Sequence, residues 1–260
     1  MKKHLRVLLP ILTILALSAG IYFYQTMQQA KPQPDVIDFI QRQGVQVIDQ
    51  FNTPSDMIGY AAVYQGEPMS IYITPDKKYA VIGDLIDAEG NDLGADAIYR
   101  LVSAPQNEKI WQQLEQANWV QDGSPAAKQV IYTFTDPFCP YCHKFRELAD
   151  KAIQSGHVQF RHILVGILQE DSLAIAATIM GSSSPQDMLA QHRQHYASGG
   201  ISLDQTAASK GNDVVLQNNQ LMEKLHLHAT PATFYRDKDD QIHHIEGLPS
   251  NNELNRILQH

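Results

Sequence analysis

The stretch VIYTFTDPFCPYC, residues 130–142, decides how the chain folds, because it joins a strand signal to a pair of cysteines. Residues 130–135 are all β-branched or aromatic, which is typical of a buried strand. Residues 143–154 carry apolar side chains at helical spacing, and Gly156 ends the predicted helix. The pattern therefore places Cys139-Pro140-Tyr141-Cys142 where a strand passes directly into a helix.

This position suits the two cysteines to disulfide exchange. Unpaired N–H groups and the helix dipole stabilise a thiolate at a helix N-terminus, and CxxC motifs lower the pKa of the nucleophilic thiol. Cys142 follows one turn later and can resolve a mixed disulfide formed by Cys139. Pro140 fits the first turn, where its missing N–H costs little. We therefore predict Cys139 as the attacking thiol and Cys142 as the resolving thiol.

A second motif, Ala229-Thr230-Pro231-Ala232, opens a later strand. Proline is tolerated at the start of a strand because it need not donate to the ladder. In a thioredoxin fold, a cis-proline loop of this kind faces the CxxC and leaves the preceding backbone free to pair with a substrate peptide. We therefore predict a cis peptide bond at Pro231, with Thr230 beside the cysteines.

The order of elements in residues 126–260 supports an α+β, thioredoxin-like catalytic domain. A strand, a helix and a second strand are followed by a helical insertion at about 169–226, then by two strands and a helix. Ser250 and Glu253 form a capping box for the last helix. The predicted later elements are strand Val158–Leu168, helices Leu173–Met180, Gln186–Tyr196 and Val214–Leu225, and strands Ala232–Tyr235 and Ile242–Glu246.

The chain upstream of residue 105 predicts a small antiparallel sheet with one helix, Asp35–Gln43. A small sheet with exposed edges invites pairing with a second copy. A further helix is predicted at Asn107–Trp119. Residues 121–125 prevent it from continuing, and we place a domain boundary there. The predicted strands are Val45–Phe51, Ile58–Tyr64, Met69–Thr74 and Tyr79–Leu85.

Residues 1–30 predict an export segment. Lys2, Lys3 and Arg6 precede an uncharged apolar run at 7–24, the arrangement of a secretory signal. The run is close to the shortest length that spans a membrane, about 17 residues. A cleaved signal and an uncleaved membrane anchor both remain open, and either places the bulk of the chain outside the cytoplasm.

Composition narrows the classes of function. A chain of 260 residues with 43% apolar residues is long enough for two folded domains. Its net charge of −8 argues against nucleic acid as a partner, because nucleic-acid binders normally present a basic face. The chain has two cysteines, so it is no disulfide-stapled scaffold even though disulfides persist outside the cytoplasm.

Three other roles for the cysteines fit the sequence less well. Zinc normally takes four ligands, and no second cysteine pair exists. An inert structural disulfide is a second alternative, which we do not favour. Cys139-Pro140-Tyr141-Cys142-His143 formally matches the c-type haem motif, but the later Thr-Pro strand fits a thioredoxin fold better. We predict no metal and no cofactor.

Other polar residues receive weaker predictions. His143 either modulates the surroundings of Cys142 or is an exposed residue of the first helical turn. His192 and His195 are predicted on a solvated helix face, and the pairs His226/His228 and His243/His244 at the surface or a strand edge. Asp136 either tunes or hydrogen-bonds the turn before the motif or simply forms that turn, and we favour the second interpretation.

Taken together, these motifs resemble those of the DsbC/DsbG family of thiol:disulfide interchange proteins, over essentially everything after the export segment. The resemblance is carried by Phe134–Cys142, Leu164-Val165-Gly166, Ala197-Ser198-Gly199-Gly200, Thr230-Pro231-Ala232 and Gly247-Leu248-Pro249, and upstream by Gln43-Gly44-Val45, Gly59-Tyr60, Ile71–Asp76 and Trp111–Gln116.

The resemblance implies a periplasmic, V-shaped homodimer. Residues 31–104 would form the dimerisation domain and residues 105–125 the linker helix. Pro140, Tyr141, Thr230 and Pro231 would contact substrate. A membrane reductase of the DsbD type would keep the dithiol reduced. Substrates would be misfolded or oxidised periplasmic proteins with wrong disulfides or sulfenic acids, since a thiolate converts either into the same mixed disulfide.

We therefore predict a disulfide isomerase or reductase, with chaperone activity as a possible addition. Two alternatives stay open from the sequence. A DsbA-like dithiol oxidase would be monomeric and reoxidised by a membrane quinone partner. A thiol-independent periplasmic chaperone would use its surface without thiol chemistry.

Overall fold

A computed structural model describes residues 34–258, which divide into two compact units between Ser103 and Ala104. The predicted export segment, residues 1–30 with the apolar run 7–24, lies outside the described residues. Among the helices of residues 34–258, none is both long enough and apolar enough to span a membrane.

The first unit contains the predicted antiparallel sheet with a helix before it. Its strands pair in chain order, β1-β2-β3-β4, and each pair is antiparallel. A short helix and a π-helical turn follow the sheet. The elements are α1 (Asp35–Arg42), β1 (Gln46–Asn52), β2 (Ile58–Tyr64), β3 (Glu67–Ile73), β4 (Ala80–Ile82), α2 (Ala95–Ile98) and the turn Tyr99–Ser103.

Both faces of this small sheet are covered. Successive side chains of a strand point to opposite faces, so Tyr60 and Ala62 of β2 face one side and Ala61 faces the other. The first face packs with Ile37 and Ile40 of α1. Ala61 packs in a second cluster with Phe51, Tyr72, Ala97 and Val102. A helical element on each side therefore gives a sheet of this size two small apolar cores.

The second unit has the thioredoxin-like arrangement. The strand order is β5-β7-β6-β8-β9, with β6 and β7 parallel and the other pairs antiparallel. The elements are α3 (Ala104–Gln116), β5 (Val120–Gly123), β6 (Gln129–Thr135), α4 (Pro140–Leu148), α5 (Asp150–Gln154), β7 (Val158–Leu164), α6 (Ser172–Met180), α7 (Pro185–Gln194), a 3₁₀ turn (Tyr196–Ser198), α8 (Gln205–Lys224), β8 (Ala232–Arg236), β9 (Ile242–Glu246) and α9 (Asn251–Leu258).

Strand β6 lies at the centre of this sheet, as its β-branched and aromatic sequence predicts. Tyr132 and Phe134 on one face pack with Trp111 and Leu114 of α3. The Trp111 and Tyr132 rings meet edge to face at 5.0 Å. Ile131 on the other face packs with side chains of α4, α5, β7 and α9. The helix that the sequence places at 107–119 thus runs from 104 to 116 and shares the core of the second unit.

Residues 121–125 differ from the sequence prediction. The expected helix break forms β5 at residues 120–123, which pairs antiparallel with β7 from Val120 opposite His162 to Gly123 opposite Gln159. The sequence of this strand is polar and has no alternating apolar pattern. Asp122 can still be buried in the strand, because arginines distant in sequence pair with its carboxylate. Gly123 has φ of +106°, and a Cβ there would lie 2.7 Å from the Val158 carbonyl oxygen.

The helical insertion is built around a close contact between α6 and α8. A Cβ on Gly211 would lie 2.1 Å from the Ala177 carbonyl oxygen, and one on Gly181 would lie 1.9 Å from that of Ala207. Helix α8 begins nine residues before its predicted start, since Asp204 caps it by accepting from the N–H groups of Thr206 and Ala207.

The predicted capping box of α9 is present. Ser250 N–H donates to Glu253 at 2.7 Å, and Glu253 N–H donates to the Ser250 hydroxyl at 3.4 Å.

Candidate active site

The cysteine pair lies where the sequence predicts, at the junction of β6 and α4. Cys139 is the N-cap of α4 and Pro140 is its first residue. The Cys142 N–H donates to Cys139 Sγ at 3.2 Å, and the His143 N–H donates to the Cys139 carbonyl oxygen at 3.1 Å. The sulfur of Cys139 therefore occupies the place that a capping oxygen would take, against the positive end of the helix.

The Thr-Pro motif meets the cysteines through the pairing of β6 with β8. Ala232 lies opposite Phe134 in this antiparallel pair, so the residues preceding β8 reach the start of α4. Cys139 Sγ lies 3.2 Å from the Thr230 carbonyl oxygen, to which it donates when protonated, and the Thr230–Pro231 peptide bond is cis, as predicted.

The two thiols have opposite acid–base properties. Hydrogen bonding from the Cys142 thiol, helped by the backbone N–H groups of Cys142 and Tyr141, lowers the pKa of Cys139 to about 6 against the effect of burial. Burial, followed by the hydrogen bond with Cys139, raises the pKa of Cys142 well above its ordinary value. Near neutral pH one sulfur is therefore a nucleophilic thiolate and the other a protonated thiol.

The reactive cysteines are shielded from solvent, and the residues between them are not. Cys139 and Cys142 are both buried, whereas Tyr141 leaves 59% of its surface exposed and Pro140 is also exposed. The two residues between the cysteines thus form the outer rim of the site.

Asp136 has a larger role than the predicted turn former. Its buried carboxylate accepts from Phe138 N–H at 2.9 Å within the turn. It also accepts from the N–H groups of Ile167 and Leu168, at 2.8 and 3.0 Å, and from the Ser172 hydroxyl at 2.9 Å. One carboxylate therefore ties the loop after β7 to the cysteine motif.

The prediction that His192 lies on a solvated helix face is wrong. His192 is 2% exposed, and its Nε2 lies 2.8 Å from the Pro137 carbonyl oxygen. Its Nδ1 accepts from the Ile201 N–H at 3.3 Å, so Nε2 must carry the proton. Burial lowers the pKa of His192, in keeping with a neutral ring. His195 is exposed, as predicted.

Tyr196 is a second contact from the insertion that the sequence analysis missed. Its hydroxyl donates to the Phe138 carbonyl oxygen at 3.1 Å. Its ring stacks on His143, with centroids 4.2 Å apart and planes 10° from parallel. His192 and Tyr196 are four residues apart, and this spacing was the one signal that a common helix face was turned toward the site.

His143 sits directly behind Cys142 on α4 and is partly buried. Its Nε2 lies 3.3 Å from Glu147 one turn on, while its Nδ1 is buried. Of its two predicted environments, the exposed position on the first turn does not describe this residue. Its proposed influence on Cys142 is taken up below.

A buried charge cluster beside the site was also missed. Asp122 on β5 accepts from Arg146 on α4 and Arg193 on α7, with His162 Nε2 at 3.5 Å. Burial would raise the pKa of Asp122, but His162, Arg146 and Arg193 outweigh it and hold this pKa well below the usual range. The carboxylate thus joins the cysteine-bearing helix, the insertion and the edge strand.

The remaining histidines lie at the surface or a strand edge, as predicted. His226 and His228 are exposed, and His243 and His244 lie on β9, which ends the sheet of this unit. Within residues 34–258, no group of three or more His, Cys, Asp or Glu side chains is arranged to hold a metal ion.

A thiolate at a helix N-terminus, a buried partner thiol and a cis-proline loop on this sheet define a thiol–disulfide oxidoreductase of the thioredoxin-like class. Residues 121–260 match the thioredoxin-like domain family, and residues 28–95 match the family described as the disulfide bond isomerase protein N-terminal domain.

Comparison with known proteins specifies the family. The chain is 38% identical to the thiol:disulfide interchange protein DsbG of Pseudomonas aeruginosa over 229 residues, covering 88% of this chain and 90% of that protein. It is 35% identical to the Escherichia coli protein of the same name over 248 residues, covering 94% and 96%. The chain therefore belongs to the DsbG family of thiol:disulfide interchange proteins.

A solved periplasmic thioredoxin-like protein from Salmonella enterica serovar Typhimurium is also similar, with 21% identity and a TM-score of 0.46 over 58% of this chain and 94% of that one. The two curated relatives support thiol:disulfide interchange as the activity. The alternative of a DsbA-like oxidase is not favoured.

Proposed function

We propose that the protein is a disulfide isomerase and reductase in which Cys139 attacks and Cys142 resolves. The observation that carries this proposal is the difference between the two sulfurs, with the pKa of Cys139 lowered to about 6 and that of Cys142 raised. At neutral pH such a pair attacks with one sulfur and holds the second in reserve.

The reaction begins when the Cys139 thiolate attacks a client disulfide. A bond forms between Cys139 Sγ and one client sulfur, and the other client sulfur leaves as a thiolate. In isomerisation, a different client thiol attacks the mixed disulfide and frees Cys139. In reduction, Cys142 attacks Cys139 and releases the client. A client sulfenic acid reacts with the same thiolate and loses hydroxide instead of a thiolate.

Client docking is assigned to the two loops around the sulfur. The backbone at Thr230, before cis-Pro231, would pair with an extended client segment, with Pro140 and Tyr141 at the rim. Ile167 and Leu168 leave 45% and 49% of their surfaces exposed on the loop that Asp136 ties to the motif. Apolar side chains beside a disulfide-exchange centre favour misfolded proteins, because folded proteins bury most of their apolar segments.

The first unit, within the predicted domain 31–104, is proposed to form a homodimer. In the described part of the chain β4 pairs with β3 alone, so its other edge offers unpaired backbone groups. Val81 and Ile82 on this strand are 52% and 54% exposed. An open edge carrying apolar side chains is suited to a second copy. We keep residues 105–125 as the linker and 126–260 as the catalytic domain.

The setting of the reaction is also a proposal. Residues 1–30 would export the chain to the periplasm, either as a cleaved signal or as a tether through residues 7–24. There a membrane reductase of the DsbD type would return the Cys139–Cys142 disulfide to the dithiol, since each reduction of a client consumes two electrons.

The test is the free-thiol content of the protein across a glutathione redox series. We expect a reversible two-electron transition between about −100 and −230 mV, the range of catalytic couples. Cys139→Ala should lose all exchange with a scrambled disulfide protein. A pair that stays oxidised below about −300 mV would be a structural disulfide and would end the proposal.

A thiol-independent chaperone role is a second candidate, supported by the exposed apolar residues beside the site. A Cys139→Ser, Cys142→Ser double variant that still suppresses client aggregation would establish it, alongside the thiol chemistry. Loss of suppression in that variant would rule it out.

A further inference from the structure

A small cavity of about 20 Å³ adjoins Cys142. One water molecule needs about 10–15 Å³ and between two and four polar partners. The cavity is lined by Cys142, His143, Arg146, His162, His192 and Tyr196 among other side chains. Its size therefore suits a single water molecule next to the resolving thiol.

Two buried ring nitrogens belong to residues that line this cavity. His143 Nδ1 and His162 Nε2 have no hydrogen-bond partner among residues 34–258. His162 is 3% exposed, and its Nε2 is 3.5 Å from an Asp122 oxygen that already accepts from Arg146 and Arg193. A buried polar atom left unpaired costs about 1–3 kcal/mol, so both nitrogens call for a partner.

The neighbours of each ring determine which nitrogen carries its proton. His143 Nε2 faces the Glu147 carboxylate at 3.3 Å and therefore keeps its hydrogen, which leaves a lone pair on Nδ1. Stacking on Tyr196 holds the plane of the ring. His162 Nδ1 lies 2.9 Å from the Thr135 hydroxyl, which can donate to it and leave Nε2–H as a donor.

We propose that one water molecule in this cavity carries the proton of Cys142 to Nδ1 of His143 in the resolving step. The proposal rests on the assigned role of Cys142. The water accepts from the Cys142 thiol and from His162 Nε2–H, and it donates to His143 Nδ1. Cys142 needs a base such as His143, because a buried, protonated thiol does not attack a disulfide.

The Cys142 thiol gives its proton to the water, which gives one of its own to His143, so that a thiolate and an imidazolium result. The thiolate attacks Cys139 Sγ, the Cys139–Cys142 bond forms and the bond to the client sulfur breaks. The client leaves as a thiolate with the electron pair of that bond, and the imidazolium then loses its Nδ1 proton to solvent, which restores the tautomer with hydrogen on Nε2.

Several other ionisable groups face this relay. Arg146 and Arg193 are paired with Asp122, and Asp136 is held by four donors. Cys139 is bonded to the client during this step and carries no charge. The groups lining the cavity are Asp136 from the end of β6, Arg146 from α4, His162 from β7, and His192, Arg193 and Tyr196 from the insertion. Glu147 faces the other ring nitrogen of His143.

The test separates attack from resolution. An aromatic disulfide whose released thiolate is coloured reacts with Cys139 in a first phase, and Cys142 releases the second coloured thiolate in a second phase. His143→Phe keeps a ring to stack on Tyr196 but has no Nδ1. We expect its first phase to be unchanged and its second phase to slow by about a hundredfold, the lower range for a general base. His195→Phe, an exposed change on the same insertion, is the control and should leave both phases unchanged.

The pH profile distinguishes a relay from a structural role. In the unaltered protein the rate of the second phase should rise less steeply with pH than in His143→Phe, because a base takes the proton of Cys142. In His143→Phe it should keep rising with pH, because the thiol must ionise without help. A second phase as fast as in the unaltered protein, or slowed by one factor at every pH, would overturn the relay.

A second variant guards against a folding defect. Glu147→Ala changes an exposed residue and frees His143 Nε2, so it should slow the second phase while the first stays intact. An unchanged second phase in both variants would overturn the relay alone. If Cys139 of the unaltered protein gave no first phase, the proposed function itself would fail.

Discussion

Two residues separate Cys139 from Cys142, yet the thiols of the two cysteines have opposite shifts in pKa. Cys139 lies at the start of α4, where donors from the next turn reach its sulfur. Cys142 lies inside the helix and the core, where a charge would be poorly solvated. The positions of the two cysteines on α4 therefore favour Cys139 as the attacking sulfur and Cys142 as the resolving sulfur.

The titration of Cys139 follows from this geometry. Alkylation of the reduced protein by iodoacetamide, followed by mass spectrometry, should show a midpoint near pH 6, with Cys142 unmodified. Because the folded pKa is lowered, the reduced state should also gain stability relative to Cys139→Ala as the pH rises from about 6 toward the pKa of an unfolded thiol, about 8.5. Cys142→Ala removes the largest cause and should raise the midpoint. A midpoint near that of an ordinary thiol would contradict the assignment.

Asp122 is the residue on which the charge cluster depends. Asp122→Asn should destabilise the second unit by about 3–5 kcal/mol, because Arg193 would lose the carboxylate that it pairs with and Arg146 would keep only Asp150. Urea unfolding can be followed by the fluorescence of Trp111 and Trp119, the chain's two tryptophans. Asp213→Asn, an exposed change on α8, is the matched control and should cost little.

The difference in unfolding free energy between the unaltered protein and Asp122→Asn should depend on pH, and this dependence tests the same charge cluster. The folded pKa of Asp122 is lowered, so its contribution is complete above the unfolded value of about 3.9 and is lost as the pH falls through the folded pKa. The gap between the two proteins should thus hold from pH 7 to about 4 and shrink below it. A stability difference that already shrinks between pH 7 and 5 would show that a group other than Asp122 titrates.

The helical insertion is part of the active site at the scale of elements. Its side chains hold the carbonyl oxygens of Pro137 and Phe138, and Tyr196 fixes the ring of His143. Anything that shifts α6–α8 therefore shifts the residues around the cysteines. The close contact of α6 with α8 is the point where the insertion is most sensitive to an added atom.

Gly211→Ala should destabilise the insertion even though alanine favours helices by about 1 kcal/mol. The added methyl would meet the Ala177 carbonyl oxygen at 2.1 Å, and such overpacking costs about 1–3 kcal/mol. Thermal unfolding should show the loss, together with slower exchange at Cys139. Lys210→Ala, an exposed neighbour, should be neutral or slightly stabilising. A Gly211→Ala protein of raised stability would show that the two helices can separate at no cost.

Each of the two units has its own apolar clusters, which suits a division of labour across the whole molecule. The reactive sulfurs belong to the second unit, whereas the open, apolar edge of β4 belongs to the first. An isomerase must hold a client while its disulfides rearrange, and two copies of one site joined through their first units would raise the effective concentration of each around the client.

Charging the β4 edge should separate the copies. Val81→Lys combined with Ile82→Lys places two cations where a second strand would pair, and sedimentation should then report a monomer at micromolar concentration. Alkylation of Cys139 should be unchanged, while refolding of a scrambled client should slow. Leu216→Lys, a similar change on the exposed side of α8, is the control. An unaltered protein that sediments as a monomer would exclude the homodimer.

The sequence by itself determined the features whose signals are local in the chain. Each of these features depends on neighbours a few residues apart. They are the β-branched strand before the CxxC helix, the proline at the start of a strand, the alternating strands with their turns, and the Ser250–Glu253 capping box. Their interactions are made within one element or one turn. For that reason the thioredoxin-like fold, the antiparallel sheet and the cysteine pair could be predicted.

Only the tertiary structure decided the second layer of the site. Strand β5 is polar and is stabilised by arginines from α4 and α7, and His192 is buried because a carbonyl oxygen on another element accepts its proton. Such pairs join residues far apart in the chain, and neither partner carries a pattern that reveals the other. The physical reason is that a buried polar group is stable only where its partner is brought by the fold, so its position follows from packing and not from periodicity.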